Sequence, residues 1–373
     1  MIPLEVRRVV IKIGSSSLNH PKGGLDNHAI AEIVTVIAAL KQTGVECVLV
    51  SSGAVAAGMG QLGLQARPRD LAGKQAVSAV GQGVLIERYA QNLERHGLVG
   101  AQILLSRIDL AEASRYHNAQ NTLEKLLRLH VIPIINENDT VAVEELCFGD
   151  NDSLSALVAG LVHSDLLIIL TDVDGLYTTN PKKDPSAQLI EDVTDVTAVE
   201  SMASGAGTIL GTGGMVTKLR AAKIATRFGI GTLLLNFTRI RELITMTEGQ
   251  GPKGTYFQPA KHRLAGRKRW IAYGGLSEGS IQVDEGAAKA LVREGKSLLA
   301  KGILTTEGTW ERKEIVRITN LKGEEIARGV VELSRDEVQL IKGLHSEKML
   351  QMIPDFDCEE VVHRDNMTLM LDA

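Results

Sequence analysis

An α/β fold with a mostly parallel sheet, covered by helices on both faces, is predicted for the first two thirds of this chain on three observations. Short, near-continuous apolar runs recur at 9–13, 47–50, 102–105, 131–135, 166–170 and 232–235. Between them lie stretches with apolar residues at helical spacing, so strand and helix alternate. The runs lack the one-in-two alternation of a sheet wetted on one side, as expected of strands buried on both faces. In such sheets, ligands bind just beyond the carboxyl ends of the strands.

The first run, VVIKI, reads as a buried strand. Ile30, Ile33, Val34, Ile37 and Leu40 then recur at helical spacing behind Asp26, a fitting N-cap, and Gly44 closes that helix. The next strand ends in SSGAVAAG, and the alternation continues to residue 235. It breaks at GQGPKGTYF, residues 249–257, and the basic stretch KHRLAGRKRW follows at 261–270. Beyond that, 314–318 and 328–333 read as short strands and 286–293 as a helix, which predicts a small β-rich second domain. The predicted division is 1–258 for the first domain, 259–275 for a basic linker, 276–360 for the second domain and 361–373 for a tail.

With 373 residues the chain exceeds the size at which one core stops growing, in keeping with two domains. Its 41 lysines and arginines against 45 acidic residues give a net charge of −4, so there is no overall pull towards nucleic acid or an anionic membrane. No leader-like segment and no apolar run of 18 residues stands out, and a cytoplasmic protein is expected. Cys47, Cys147 and Cys358 are too far apart to suggest a zinc site or a disulfide framework.

Four motifs could carry chemistry. In VVIKIGSSSL, Lys12 sits inside an apolar strand and must meet an anion, read equally as a structural ion pair or as a phosphate held with the amides near Gly14. In GTGGMVTK, residues 211–218, glycines allow close backbone approach to a ligand and Lys218 adds a positive charge; a surface turn is the plain alternative. The one GKS triplet, 295–297, has Ala290 where a Walker A loop needs its first glycine, so a P-loop enzyme is disfavoured. INENDT and FGDNDS place Asn136, Asn138, Asp139, Asp150, Asn151 and Asp152 at expected strand and helix ends, which favours a ligand site over turn chemistry alone. Ser51, Ser52, Gly53 and Ala54 offer a hydroxyl and close amides suited to a carboxylate or phosphate, with a tight turn nearly as good a reading. Thr171 and Asp172 end a very apolar strand, and Asp172 is expected to orient Lys12 and Lys218, to lie in the outer shell of a magnesium ion, or to cap a helix. His117 and His163 receive no role.

In this order and at these positions, VVIKIGSSSL, VLVSSGAVAAG, INENDTVA, FGDNDSLSA, LTDVDGLY and GTGGMVTK resemble the glutamate-phosphorylating branch of the amino acid kinase family, across essentially the whole chain. The stretch VDEGAAKALVREGKSLLAKGI, 283–303, with WERKEIVRI after it, resembles a PUA domain. The resemblance implies a three-layer α/β/α sandwich joined to a small β-rich domain. It also implies transfer of a phosphoryl group from ATP, with Mg²⁺, to the side-chain carboxylate of L-glutamate. Lys12, Lys218 and Asp172 are implied as catalytic residues. Lys12, Gly14, Thr171, Asp172 and the loop Gly211, Thr212, Gly213, Gly214, Met215, Val216, Thr217 and Lys218 would contact ATP. Ser52, Gly53, Ala54, Asn136, Asp139, Asp150 and Asn151 would hold the acceptor; no protein ligand to the metal is implied, Mg²⁺ being bound through ATP. Proline as feedback inhibitor, a homo-oligomer (dimer or tetramer) and handover to a glutamyl phosphate reductase also follow from the resemblance. RNA binding by the PUA-like domain stays open but is disfavoured, because aromatics make up only 3% of the chain.

Overall fold

The computed structural model describes residues 5–20, 23–141, 151–179, 181, 184–204, 213–248, 251–260, 264, 266–274, 277, 279–353 and 359–370. The chain divides into two compact units, Met1–Asp109 with Ser114–Arg263, and Leu110–Ala113 with Leu264–Ala373.

The first unit is built from strands β1 (Arg8–Ile13), β2 (Glu46–Ser51), β3 (Gly100–Leu105), β4 (Ile132–Glu137), β5 (Leu166–Thr171), β6 (Asp192–Val193), β7 (Gly231–Asn236) and β8 (Thr255–Phe257). They form one sheet in the order β3-β4-β2-β1-β5-β7-β8-β6. The β7–β8 pairing is antiparallel and the others are parallel, as the unbroken apolar runs predict. Its main helices are α1 (Asn27–Gln42), α2 (Ala54–Leu62), α3 (Leu71–Glu94), α4 (Ala113–Arg128), α5 (Asn151–Leu161) and α6 (Gly213–Arg227). Asp26 does cap α1, its side chain accepting from the amides of His28 and Ala29.

Alternation along β1 sorts its side chains between the two faces of the sheet. Val9, Ile11 and Ile13 enter one core with Ile30, Ile33 and Ile37 of α1 and with Leu85, Tyr89 and Leu93 of α3. Lys12, between Ile11 and Ile13, therefore points to the opposite face, where it meets Asp152 of α5. The five central strands β1, β2, β4, β5 and β7 are buried almost end to end. Four of them end at their carboxyl side in polar residues, Ser51, Asn136 with Glu137, Thr171 and Asn236.

Two glycines let α2 and α3 touch backbone to backbone. A Cβ on Gly81 would lie 1.7 Å from the carbonyl oxygen of Ala54, and one on Gly58 would lie 1.9 Å from that of Val77. This contact holds the start of α2 just after Gly53, whose φ of 97° is left-handed.

The second unit is β-rich. Strands β9 (Gly279–Val283), β11 (Ile303–Glu307), β12 (Ile315–Thr319), β13 (Glu325–Val330) and β15 (Met367–Leu369) form a sheet in the order β11-β9-β12-β13-β15, and β10 (Leu298–Leu299) pairs with β14 (Glu360–Val362). Helix α7 (Glu285–Glu294) is capped by Asp284 and ends at Gly295 with a left-handed φ of 62°. Its core gathers Ile281, Leu291, Trp310, Val316, Ile318 and Ile326. Residues 361–373, set apart as a tail on sequence, include β15, which pairs with β13; a three-residue strand is too short to announce itself by pattern. Within the expected linker 259–275, Ile271 is buried with Ile315 and Val330 of the second unit. The basic residues before it hid that apolar contact.

Candidate functional site

The carboxyl ends of β1, β2 and β4, with the starts of α2, α5 and α6, surround a cleft of about 810 Å³ in the first unit. Its walls include Lys12, Gly14, Ser52, Gly53, Ala54, Asn136, Asp139, Asn151, Gly214, Thr217 and Lys218, all expected on sequence, together with Asp152, Glu137, Arg67 and Lys74. Thr171, Asp172, Met215 and Val216 are not part of this wall. Asp150, Gly211 and Thr212 fall outside the described residues, and Gly213 is the first residue of α6. Lys218 is thus in the second turn of a helix, rather than on the loop before one.

At one end of the cleft, Asp152 lies between two lysines. Its Oδ1 is 2.5 Å from Lys12 Nζ, and its Oδ2 is 3.1 Å from Lys218 Nζ and accepts from Thr217 Oγ1 at 2.7 Å. Asp152 is 2% exposed and Lys12 5%. Burial alone would raise the Asp152 carboxyl, but the charges of Lys12 and Lys218, with hydrogen bonds from Lys12 and Thr217, outweigh it and hold the group below the usual carboxylate range. Two ammonium groups gathered on one carboxylate make this the cationic end of the cleft, which suits an anion such as phosphate. Lys218 Nζ also donates to the carbonyl of Gly214 at 3.1 Å, tying it to the first turn of α6, where free amides point outward.

Of the three readings of Asp172 on sequence, orienting the lysines, lying in the outer shell of a magnesium ion or capping a helix, the first meets a rival, because both lysines contact Asp152. Asp172 is exposed, and its hydrogen bond is with the Thr171 hydroxyl, 3.2 Å away. It follows the end of β5, a strand next to β1, but Lys12 leaves β1 towards α5. The signal available was an aspartate in the first turn of NDSLSALVAGL, a helix otherwise apolar enough that a buried charge there demands a cation.

Elsewhere the cleft is lined by small polar groups around Ser52, Asn136 and Asn151, with Asp139, Glu137, Arg67 and Lys74 as its charged residues. Asn151 Nδ2 lies 2.8 Å from the carbonyl of Ser51, 2.9 Å from Asn136 Oδ1 and 3.0 Å from Ser52 Oγ. Ser78 of α3 donates to Asp139 Oδ2 at 2.5 Å. Ser51 Oγ lies 2.9 Å from the hydroxyl of Tyr89, which is fully buried; burial raises that phenol, so it stays a neutral partner. Ser78, Gln82 and Tyr89 recur along one face of α3 and back the cleft, a role that no local motif announced. His117 and His163 lie away from the cleft, and His163 meets Gln120 at 3.2 Å.

Comparison with known proteins adds the chemistry. The profile of the amino acid kinase family matches residues 7–236, and that of the PUA domain matches 279–353. A protein of Desulfitobacterium hafniense named glutamate 5-kinase is 69% identical over 99% of this chain and 100% of its own length. Proteins of the same name from Trichlorobacter lovleyi and Moorella thermoacetica are 50% and 46% identical, each over 98% of this chain and 97% of their own.

Proposed function

The chain belongs to the amino acid kinase family, and on that premise we propose that it transfers the terminal phosphoryl group of ATP to the side-chain carboxylate of L-glutamate. The product is L-glutamyl 5-phosphate, and the reaction is the first step of proline biosynthesis from glutamate. The observation that carries this reading is one cleft with a cationic end, built on Lys12, Lys218 and Asp152, and an amide-rich end, built on Ser52, Asn136, Asp139 and Asn151.

The acceptor carboxylate, with a solution pKa of about 4.3, is already ionised at neutral pH, so no general base is required. Repulsion between two anions is the barrier to overcome. In this reading Lys12 and Lys218 hold the γ-phosphoryl in line with the carboxylate and take up the charge that builds on its oxygens. Asp152 orients both ammonium groups, its oxygens being engaged by Lys12, Lys218 and Thr217. Asp139 pairs with the substrate ammonium, leaving the Ser52 hydroxyl and the amides at Gly53 and Ala54 for a carboxylate.

Among the described residues no group of three or more His, Cys, Asp or Glu side chains could hold a metal ion, and both Asp152 oxygens face cations. Mg²⁺ is proposed to be held by the ATP phosphates, where it would supply further charge neutralisation. Full-length kinship also supports a homo-oligomer, inhibition by proline, handover of the labile product to a glutamyl phosphate reductase and a cytoplasmic setting; among the described residues no helix is long and apolar enough to cross a membrane.

Incubation with ATP, Mg²⁺ and hydroxylamine, which traps acyl phosphates as hydroxamates, tests the reading. Hydroxamate should form with glutamate and not with aspartate or N-acetylglutamate; a signal confined to another acid would keep the fold and change the substrate.

A further inference from the structure

The acceptor end of the cleft is backed by three side-chain amides in series, and a backbone group of fixed character orients each. Gln82 Nε2 lies 3.3 Å from the carbonyl of Glu137, which can only accept. Asn136 Oδ1 accepts from the amide of Glu137 at 2.9 Å, which can only donate. Asn151 Nδ2 faces the carbonyl of Ser51, again an acceptor only. The three amides therefore run one way. Gln82 Oε1 accepts from Asn136 Nδ2 at 3.4 Å and from Gln102 Nε2 at 3.3 Å, and Asn136 Oδ1 then accepts from Asn151 Nδ2. Gln82 and Asn136 are both buried, so turning either amide round would set like against like away from water.

This direction has a consequence inside the cleft. An amide nitrogen has two hydrogens, and those of Asn151 go to Ser51 O and Asn136 Oδ1. Ser52 Oγ, 3.0 Å away, is left with its own hydrogen to donate into the cleft. Asn151 Oδ1 makes no hydrogen bond among the described residues and offers the cleft a bare acceptor, beside the carboxylate of Asp139.

We propose that Gln82 is a positioning residue: by accepting from Asn136 Nδ2 it holds Asn136 where its Oδ1 receives Asn151 Nδ2, and so keeps the Asn151 carbonyl turned towards the substrate, where the pocket selects an acceptor molecule carrying a free ammonium. The proposal rests on the reading of this cleft as a glutamate site. An ammonium gives one hydrogen to Asn151 Oδ1 and another to Asp139. An N-acylated amine has a single hydrogen and no charge, and a dicarboxylate without the amine leaves both acceptors unmatched.

The test uses the full chain with Gln82→Met, which keeps the side-chain length and removes both polar ends, and Gln82→Glu, which keeps an acceptor for Asn136. In Gln82→Met the KM for glutamate should rise about tenfold, the worth of one hydrogen bond to a charged group, with kcat and the KM for ATP within about twofold. The inhibition constant of glutarate, glutamate without its amine, should move by no more than about twofold, because it never used the Asn151 carbonyl. Gln82→Glu, which sets an oxygen against the Glu137 carbonyl, should not recover the loss. An unchanged KM for glutamate in Gln82→Met overturns the proposal. So does a common rise in the KM for glutamate, the KM for ATP and the glutarate constant, which marks general loosening of the cleft. If the wild-type chain forms no glutamate-dependent hydroxamate, the underlying reading of the cleft fails instead.

Discussion

Asp152 in the first unit and Glu337 in the second are both carboxylates held below their usual range by cations, but they stand in opposite surroundings. Asp152 is sealed at 2% exposure between Lys12 and Lys218, where burial opposes its ionisation. Glu337 accepts from Arg312, pairs with the Ser334 helix cap and stays in contact with water, its carboxyl lowered to about 2 chiefly by the Arg312 hydrogen bond. The half-buried Glu337 is paired well at the surface. The buried trio gathers two lysines on one carboxylate at the wall of a cleft, and that setting, rather than the depressed carboxyl, separates a site from a structural ion pair.

The sharpest way to break this contrast is Asp152→Asn. It keeps the shape, leaves two lysines without a counter-charge, and should lower kcat in the hydroxamate assay by about a hundredfold or more. Activity within tenfold of wild type would reduce the trio to a structural pairing. Next in size is Gly81→Ala, whose new Cβ meets the Ala54 carbonyl at 1.7 Å. About 1–3 kcal/mol of stability should be lost in urea unfolding, with a raised KM for glutamate because the start of α2 shifts. Asp139→Asn should raise the KM for glutamate several-fold while kcat changes less, because the ammonium loses its ionic partner but the phosphoryl end is untouched; an unchanged KM would remove Asp139 from that role. The smallest effect belongs to Arg312→Ala: at most about 1 kcal/mol, screened away by 1 M salt, with no change in kcat.

The two carboxyls also separate by pH. A depressed carboxyl contributes stability that is present above its unfolded value and lost as pH falls through its folded one. For Glu337 that window runs from 4.5 down to about 2, and for Asp152 it lies below 3.8. Trp270 and Trp310, the chain's two tryptophans, both lie in the second unit. Their fluorescence should therefore follow loss of the Glu337 contact during acid titration and be sensitive to salt, whereas the first unit's transition, read by far-UV circular dichroism, should respond to salt much less.

Much of the first unit was legible because buried parallel strands leave continuous apolar runs. Four of the five central runs stopped one or two residues early, since Ser51, Asn136, Glu137, Thr171 and Asn236 are polar yet still paired in the sheet. Those overlooked ends mark the edge where the cleft opens. Lys12 stood out as a charge in an apolar strand, but its partner did not, because the face that a strand residue chooses is settled by what packs there. Gln82, Ser78 and Tyr89 were illegible for a similar reason: α3 carries them at ordinary helical spacing, and only the fold sets them behind β2 and β4. In the second unit, β15 was hidden by its brevity and Ile271 by its basic neighbours.

The crossing of α2 and α3 through Gly58 and Gly81 also bears on how this chain can change over generations. Any amino-acid change at either position adds a Cβ where a carbonyl already stands, and every replacement at the first or second base of a glycine codon has that effect or ends the chain. The core around Ile30, Ile33 and Leu85 can exchange one aliphatic residue for another and drift. These two positions have no neighbouring variant to move to, so the corner at Gly53 should be inherited unchanged while the helices around it diverge.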